Sequence, residues 1–222
     1  MTSPAPYIDH TLLKPETTAD QIRALCEEAV EFGFASVCVP PVFVSLAADL
    51  LYGSEIATGT VVGFPLGYVP PAVKAFESSR AVAAGATELD MVIHLGAALS
   101  GRLEDVEGEI RQVVEAARGA LVKVIIECCC LPLPLKEALV ECVVRGGAGY
   151  VKTSTGFAAG GATVADVRLL AGAAKGRIGV KAAGGIRDWE GCRAMIEAGA
   201  SRVGTSAGVK ILEQWQDRDG IK

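Results

Sequence analysis

Apolar residues along this chain come in two alternating patterns. Short runs rich in valine and isoleucine fall at residues 8–13, 35–39, 59–64, 88–94, 122–127, 150–155, 178–183 and 202–206, and these read as strands. Between them, apolar positions recur at helical spacing. Ile22, Leu25, Cys26, Ala29 and Val30 fall at i, i+3, i+4, i+7 and i+8, with Thr18 and Gln21 set as a capping box ahead of them. Val106, Ile110, Val113, Val114 and Ala117 repeat the stripe after Gly101. Residues 73–84, 135–145, 164–174 and 188–198 fit helices as well, several closing on glycine. Strict alternation of strand and helix at a near-constant period predicts a parallel sheet, and eight units close it into an α/β fold, the (β/α)8 TIM barrel. An open doubly wound sheet is the alternative, but no G-x-G-x-x-G follows the first strand to support it.

The chain of 222 residues, half of them apolar, is long enough for one such barrel, and no linker or low-complexity segment divides it. A single domain over residues 1–222 is therefore expected. A net charge of −5 and a pI near 5.2, without a clustered basic stripe, argue against nucleic acid and anionic membranes as partners. A small molecule is the expected partner. The opening MTSPAPYIDH lacks the basic and apolar regions of a signal peptide, and no uncharged apolar stretch reaches about 18 residues, so a cytoplasmic location is expected. Seven cysteines, three of them consecutive at Cys128–Cys130, suggest neither a disulfide framework nor a zinc site. Two histidines, His10 and His94, do not suit a multi-histidine catalytic metal centre.

Three lysines change the picture. Lys123, Lys152 and Lys181 each follow a valine in a strand run, and each lies 29 residues after the previous one. On neighbouring parallel strands they would converge. Period two groups Lys123 with Ile125 and Glu127, Lys152 with Tyr150 and Ser154, and Lys181 with Gly179 and Ala183. The run ELDMVIH likewise puts Asp90, Val92 and His94 on one face, so an inward face there adds a carboxylate to the cluster. A lone lysine at such a position would read as an ion pair or a solvated strand end. Three lysines and an aspartate in register point instead to amine chemistry. Two ammonium groups about 5 Å apart repel by roughly 3 kcal/mol at an effective dielectric of about 20, which lowers one pKa by about two units. A free amine is then available near neutral pH as a nucleophile.

Glycine-rich ends follow the last two strands, AAGGIR at 182–187 and GTSAG at 204–208. Such loops let backbone N–H groups approach an anion, and barrels commonly bind phosphate there.

The segments DHTLLK (9–14), VCVP (37–40), VVGFPLG (61–67), ELDMVI (88–93), VKVIIE (122–127), YVKTSTGF (150–157), VKAAGGIR (180–187) and RVGTSAGVKI (202–211) together resemble the deoxyribose-phosphate aldolase family, in family order through nearly the whole chain. The resemblance implies a (β/α)8 barrel and reversible cleavage of 2-deoxy-D-ribose 5-phosphate to acetaldehyde and D-glyceraldehyde 3-phosphate, without metal or other cofactor. It implies Lys152 as the Schiff-base nucleophile, Asp90 as the proton-transfer group and Lys181 as the cation that perturbs Lys152 and assists proton movement. Lys123, Thr153 and Cys38 would be supporting positions, with Cys38 open either to reaction with an aldehyde or to a buried packing role. The phosphate would rest on Gly156, Gly184, Gly185, Gly204 and Ser206, and the assembly would be a homodimer. His94 and Pro40 stand where asparagine is usual, Ala182 and Ala207 where serines are frequent, and the tail DRDGIK lacks a terminal tyrosine. Other barrel enzymes share parts of this pattern. A transaldolase-like aldolase would keep the strand-six lysine, while a sugar-phosphate isomerase or a non-catalytic phosphate-binding protein would keep the glycine loops without needing it.

Overall fold

The computed structural model of the chain describes residues 3–219. Among them, strand and helix alternate as β1 (Ile8–Thr11), α1 (Ala19–Phe32), β2 (Ser36–Val39), α2 (Val44–Leu50), β3 (Ala57–Val62), α3 (Pro71–Ala83), β4 (Glu88–Val92), α4 (Leu95–Leu99), α5 (Leu103–Ala116), β5 (Leu121–Ile125), α6 (Leu133–Arg145), β6 (Tyr150–Lys152), α7 (Val164–Ala174), β7 (Gly179–Ala183), α8 (Trp189–Glu197), β8 (Arg202–Thr205) and α9 (Gly208–Asp219). The strands pair in chain order, all parallel, and β1 closes on β8 through Ile8 opposite Val203 and Asp9 opposite Gly204. The expected (β/α)8 barrel is the observed one. No helix among the described residues is long and apolar enough to cross a membrane.

Each strand alternates between two buried environments. Val37, Leu89, Val124, Val151, Val180 and Val203 pack outward into the core under the helices. The helices supply the other half of that core. In α1 the capping box forms as expected, Thr18 accepting from the Gln21 N–H while the Gln21 side chain accepts from the Thr18 N–H, and Ile22, Leu25, Cys26 and Ala29 are buried. Val30 is 50% exposed, because eight positions on it lies about 80° around the helix from Ile22, at the rim of the stripe.

The expected boundaries shift where the chain leaves the sheet. β3 begins at Ala57 and stops before Gly63, whose φ of 61° breaks the strand. β4 stops at Val92, although the Ile93 N–H still donates to the Ile125 carbonyl. His94 therefore leaves the face it was expected to share with Asp90 and caps α4, its Nδ1 accepting from the Ala97 N–H at 2.7 Å. β6 is only Tyr150–Lys152, after which the Thr153 N–H donates to the Lys181 carbonyl and the chain turns. Helices α2, α4 and α9 carry no stripe that the periodicity marked. Two of them are short, and in α9 the buried Ile211, Leu212 and Trp215 are set among charged and amide side chains.

Candidate active site

The inward faces of the strands carry charge at the middle of the barrel. Register places Asp90 opposite Lys123, Ile125 opposite Lys152, and Lys152 opposite Lys181. The Nζ atoms of Lys152 and Lys181 each lie 2.7 Å from one oxygen of Asp90, Oδ2, and Lys123 Nζ lies 3.1 Å from the other, Oδ1. All four residues are essentially removed from solvent. The expected convergence of three lysines on one carboxylate is what the fold produces.

Below this level lies a floor that the sequence reading missed. Asp9 on β1 holds Lys181 Nζ at 2.5 Å through Oδ2 and the Arg202 Nε at 2.6 Å through Oδ1. Glu88 on β4 takes Lys123 Nζ at 2.5 Å and receives Arg202 at 2.7 and 2.8 Å. Among the described residues, three carboxylates thus face four cationic side chains within the barrel. The cluster is balanced when one of the four is neutral.

The electrostatics single out which one. Burial pulls Lys152 below the usual lysine range, the positive charge of Lys181 adds to the fall, and Asp90 opposes it without reversing it. Burial would lower Lys181 as well, but Asp9 and Asp90 together hold it well above the ordinary value. Lys123 is also raised, Asp90 and Asp9 overcoming its burial. Lys152 is the lysine of the three with the weaker hold on its proton. Crowding by Lys181 was expected to lead, with partial burial adding to it, whereas removal from water is the larger of the two. Asp90 itself, despite burial, is held far below the usual carboxylate range by Lys123, Lys152 and Lys181.

Above the lysines opens a cavity of about 370 Å³ at the C-terminal mouth of the barrel, with Lys152 on its wall. Gly156, Gly184 and Gly185 line it with φ of 82°, 89° and 81°, the left-handed region that glycine enters without strain. Gly204 and Ser206 line it from the β8 side. A side chain at Gly204 would put its Cβ 3.1 Å from both Lys181 Cε and Ala183 Cβ, so a larger residue there would crowd the lysine's path up the barrel. Two cations that the sequence pattern did not single out, Lys14 and Arg187, also line this mouth.

The remaining expected positions sit apart from the cavity. Cys38 is fully buried, and burial with the nearby Asp90 charge pushes its thiol up to about 11. Thr153 follows the end of β6, its hydroxyl bridging to Ala183 by donating to the carbonyl at 3.2 Å and accepting from the N–H at 3.1 Å. Ala182 is buried in the core outside the barrel. The Ala207 N–H donates to Thr205 Oγ1. Pro40 borders a separate apolar cavity of about 280 Å³ with Leu13, Phe64 and Phe157. Of the tail DRDGIK, residues 220–222 lie outside the described residues.

A buried amine of lowered basicity beneath a mouth lined by glycine turns and cations can form a covalent adduct with a carbonyl compound that carries an anionic group. Comparison with known proteins agrees with that chemistry. The chain is 62% identical over 217 residues to a deoxyribose-phosphate aldolase of Syntrophotalea carbinolica, covering 98% of both chains. It is 54% identical over 209 residues to one from Exiguobacterium sibiricum, covering 94% of this chain and 95% of the other. Among solved structures, QR15, an aldolase, superposes with a TM-score of 0.94 at 41% identity, over 100% of this chain and 99% of that one. The tetrameric deoxyribose phosphate aldolase of Aeropyrum pernix matches with a TM-score of 0.89 at 39% identity, over 96% of this chain and 91% of that one. The sequence profile of the DeoC/LacD family aldolases matches residues 5–214, and the chain belongs to that family.

Proposed function

We propose that this aldolase reversibly cleaves 2-deoxy-D-ribose 5-phosphate to acetaldehyde and D-glyceraldehyde 3-phosphate through a Schiff base on Lys152. The observation that carries the reading is the asymmetry among three buried lysines. Lys152 is pulled down in basicity while Lys123 and Lys181 are held up as cations by Asp9, Glu88 and Asp90. Lys152, as free amine, attacks the substrate aldehyde carbon, and loss of water gives an iminium. That positive nitrogen accepts the electron pair released when the C2–C3 bond breaks as the C3 hydroxyl gives up its proton, leaving D-glyceraldehyde 3-phosphate and an enamine of acetaldehyde. Protonation of the enamine carbon and hydrolysis of the resulting iminium release acetaldehyde and restore Lys152.

Asp90 lies 2.7 Å from Lys152 Nζ and remains ionised, so it stabilises the cationic iminium, takes up the proton that the C3 hydroxyl releases and returns it to the enamine carbon. Lys181, gripped by Asp9 and Asp90, keeps Asp90 from drawing Lys152 into a permanent ion pair. Lys123 holds the other oxygen of Asp90 and fixes the carboxylate's orientation. The phosphate rests on the turns at Gly156, Gly184, Gly185, Gly204 and Ser206, with Lys14 and Arg187 supplying positive charge at the rim. Remote binding energy there places the reacting carbons over Lys152.

The proposal extends to a single barrel domain over residues 1–222, a cytoplasmic location and a homodimer. Exposed Tyr68, Val73 and Phe76, on α3 and the turn before it, support a self-association face, and light scattering on the purified protein tests it. The activity is tested by following acetaldehyde release from 2-deoxyribose 5-phosphate with a coupled dehydrogenase. Release by the wild type and none by Lys152→Leu is the expected result. Release that survives Lys152→Leu would remove the reading.

A further inference from the structure

Glu127 is a buried carboxylate that takes no part in the lysine cluster. It closes the β5 strand run, where period two would aim it inward, yet its backbone turns left-handed at φ 54° and ψ 68°. A glutamate in that region is strained by about 1–3 kcal/mol, so something must hold it there. Its side chain points to Thr155. The Thr155 N–H donates to Oε1 at 3.4 Å and Oε2 at 3.2 Å, and the Thr155 hydroxyl donates to Oε2 at 2.5 Å. The same hydroxyl accepts from the Phe157 N–H at 3.1 Å. One carboxylate thereby fixes the turn that contains Gly156 and leads away from Lys152.

The far end of that segment is tied separately. The Ala162 N–H donates to the carbonyls of Ala183 and Gly184 at 3.1 and 3.0 Å, and Gly161 packs directly on the Gly184 backbone. Gly160 is pressed against Cys129, two residues after Glu127. The loop from β6 to α7 is thus fixed to β7 at one end and, through Glu127, to the turn after β5 at the other. Thr155, Gly156 and Phe157 line the mouth cavity beside Gly184 and Gly185, with the Gly156 backbone packed against that of Gly184.

We infer that Glu127 is a positioning residue for the phosphate half of the substrate, holding the 155–157 turn against the 184–185 turn so that the two together form one cradle for a phosphate, without touching the reacting carbons. The inference rests on the aldolase reading for its substrate. It predicts a split between substrates that a merely structural residue would not produce. In Glu127→Gln, KM for 2-deoxyribose 5-phosphate rises about tenfold, the worth of roughly one charge-assisted hydrogen bond, while kcat stays within about twofold. The kcat/KM for unphosphorylated 2-deoxyribose stays within about twofold. Thr155→Val, which removes the hydroxyl relay at nearly constant volume, gives the same split, and the double variant is no worse than either single one.

Calorimetric titration with inorganic phosphate provides a readout that needs no turnover. The Kd rises in Glu127→Gln by the same factor as KM. That measurement keeps this inference separate from the aldolase reading, which fails instead if the wild type cleaves neither sugar. Equal losses on the two sugars, or an unchanged phosphate Kd, would overturn the role given to Glu127. If Glu127→Gln does not fold, the Thr155→Val kinetics and titration decide alone.

Discussion

Replacing Lys181 by leucine tests the electrostatic argument at its most exposed point. Lys181 and Lys152 share Asp90 Oδ2 at 2.7 Å each. Their nitrogens therefore lie within about 5 Å, and at an effective dielectric of about 20 they repel by roughly 3 kcal/mol, or about two pKa units. The substitution removes that repulsion and also leaves Asp90 less neutralised, so both changes favour protonated Lys152. In charge terms, three carboxylates would then face three cations, and the balanced state of the cluster becomes the one with Lys152 charged. Burial still pulls Lys152 down, which is why the nucleophile is weakened rather than abolished. The expected outcome is a folded protein whose kcat/KM on 2-deoxyribose 5-phosphate falls about a hundredfold at pH 7 and recovers most of that loss over about two pH units. The assay is a pH profile of kcat/KM, with circular dichroism to confirm folding at each pH. A flat, equally low profile would mean that Lys181 moves protons or positions substrate directly, and the basicity-lowering role would be withdrawn.

Three further outcomes follow from the same geometry. Lys74 and Glu109 form an ion pair at 2.6 Å buried between α3 and α5, so Glu109→Gln should destabilise the fold by about 3–5 kcal/mol and lower Tm by about 10 °C, with partial recovery in Lys74→Met/Glu109→Leu. Asp9 and Asp90 have carboxyls held well below their unfolded values. Their stabilisation is complete above about pH 5 and drains away as pH falls through the ordinary carboxylate range near 3.9 toward the depressed folded values, so Tm should drop steeply with acid. Asp9→Asn should be less stable at pH 7 yet show a shallower acid slope, and an unchanged slope would contradict the assignment. Cys38, with its thiol near 11, is almost wholly un-ionised at pH 7, so intact mass after aldehyde exposure should show no adduct that Cys38→Ser abolishes.

The barrel was legible because its period is nearly constant, and equal spacing of Lys123, Lys152 and Lys181 translates directly into adjacency once consecutive strands pair. Ring closure was harder to read. Asp9 and Arg202 are 193 residues apart in sequence and meet only because β1 closes on β8, so the charged floor was invisible to a strand-by-strand reading. Glu88 could have been found, since period two puts it on the same face as Asp90. His94 was misplaced because alternation assumes the strand continues, whereas capping α4 captures the imidazole after Val92. Thr153 came from the family resemblance as a supporting position, and its hydroxyl is occupied by the Ala183 backbone on the next strand. The cause of the Lys152 shift was only partly legible. Pairwise repulsion follows from register, but depth of burial is a property of the assembled barrel.

The most direct test of the central claim is chemical trapping. The protein is incubated with acetaldehyde and sodium borohydride, digested, and mapped by mass spectrometry. The account predicts one ethyl group, a gain of about 28 Da from reduction of the two-carbon imine, on Lys152 and none on Lys123 or Lys181, whose ammonium groups are held by Asp9, Glu88 and Asp90. Label on Lys123 or Lys181 in place of Lys152, or no label in a protein that still cleaves 2-deoxyribose 5-phosphate, would contradict it.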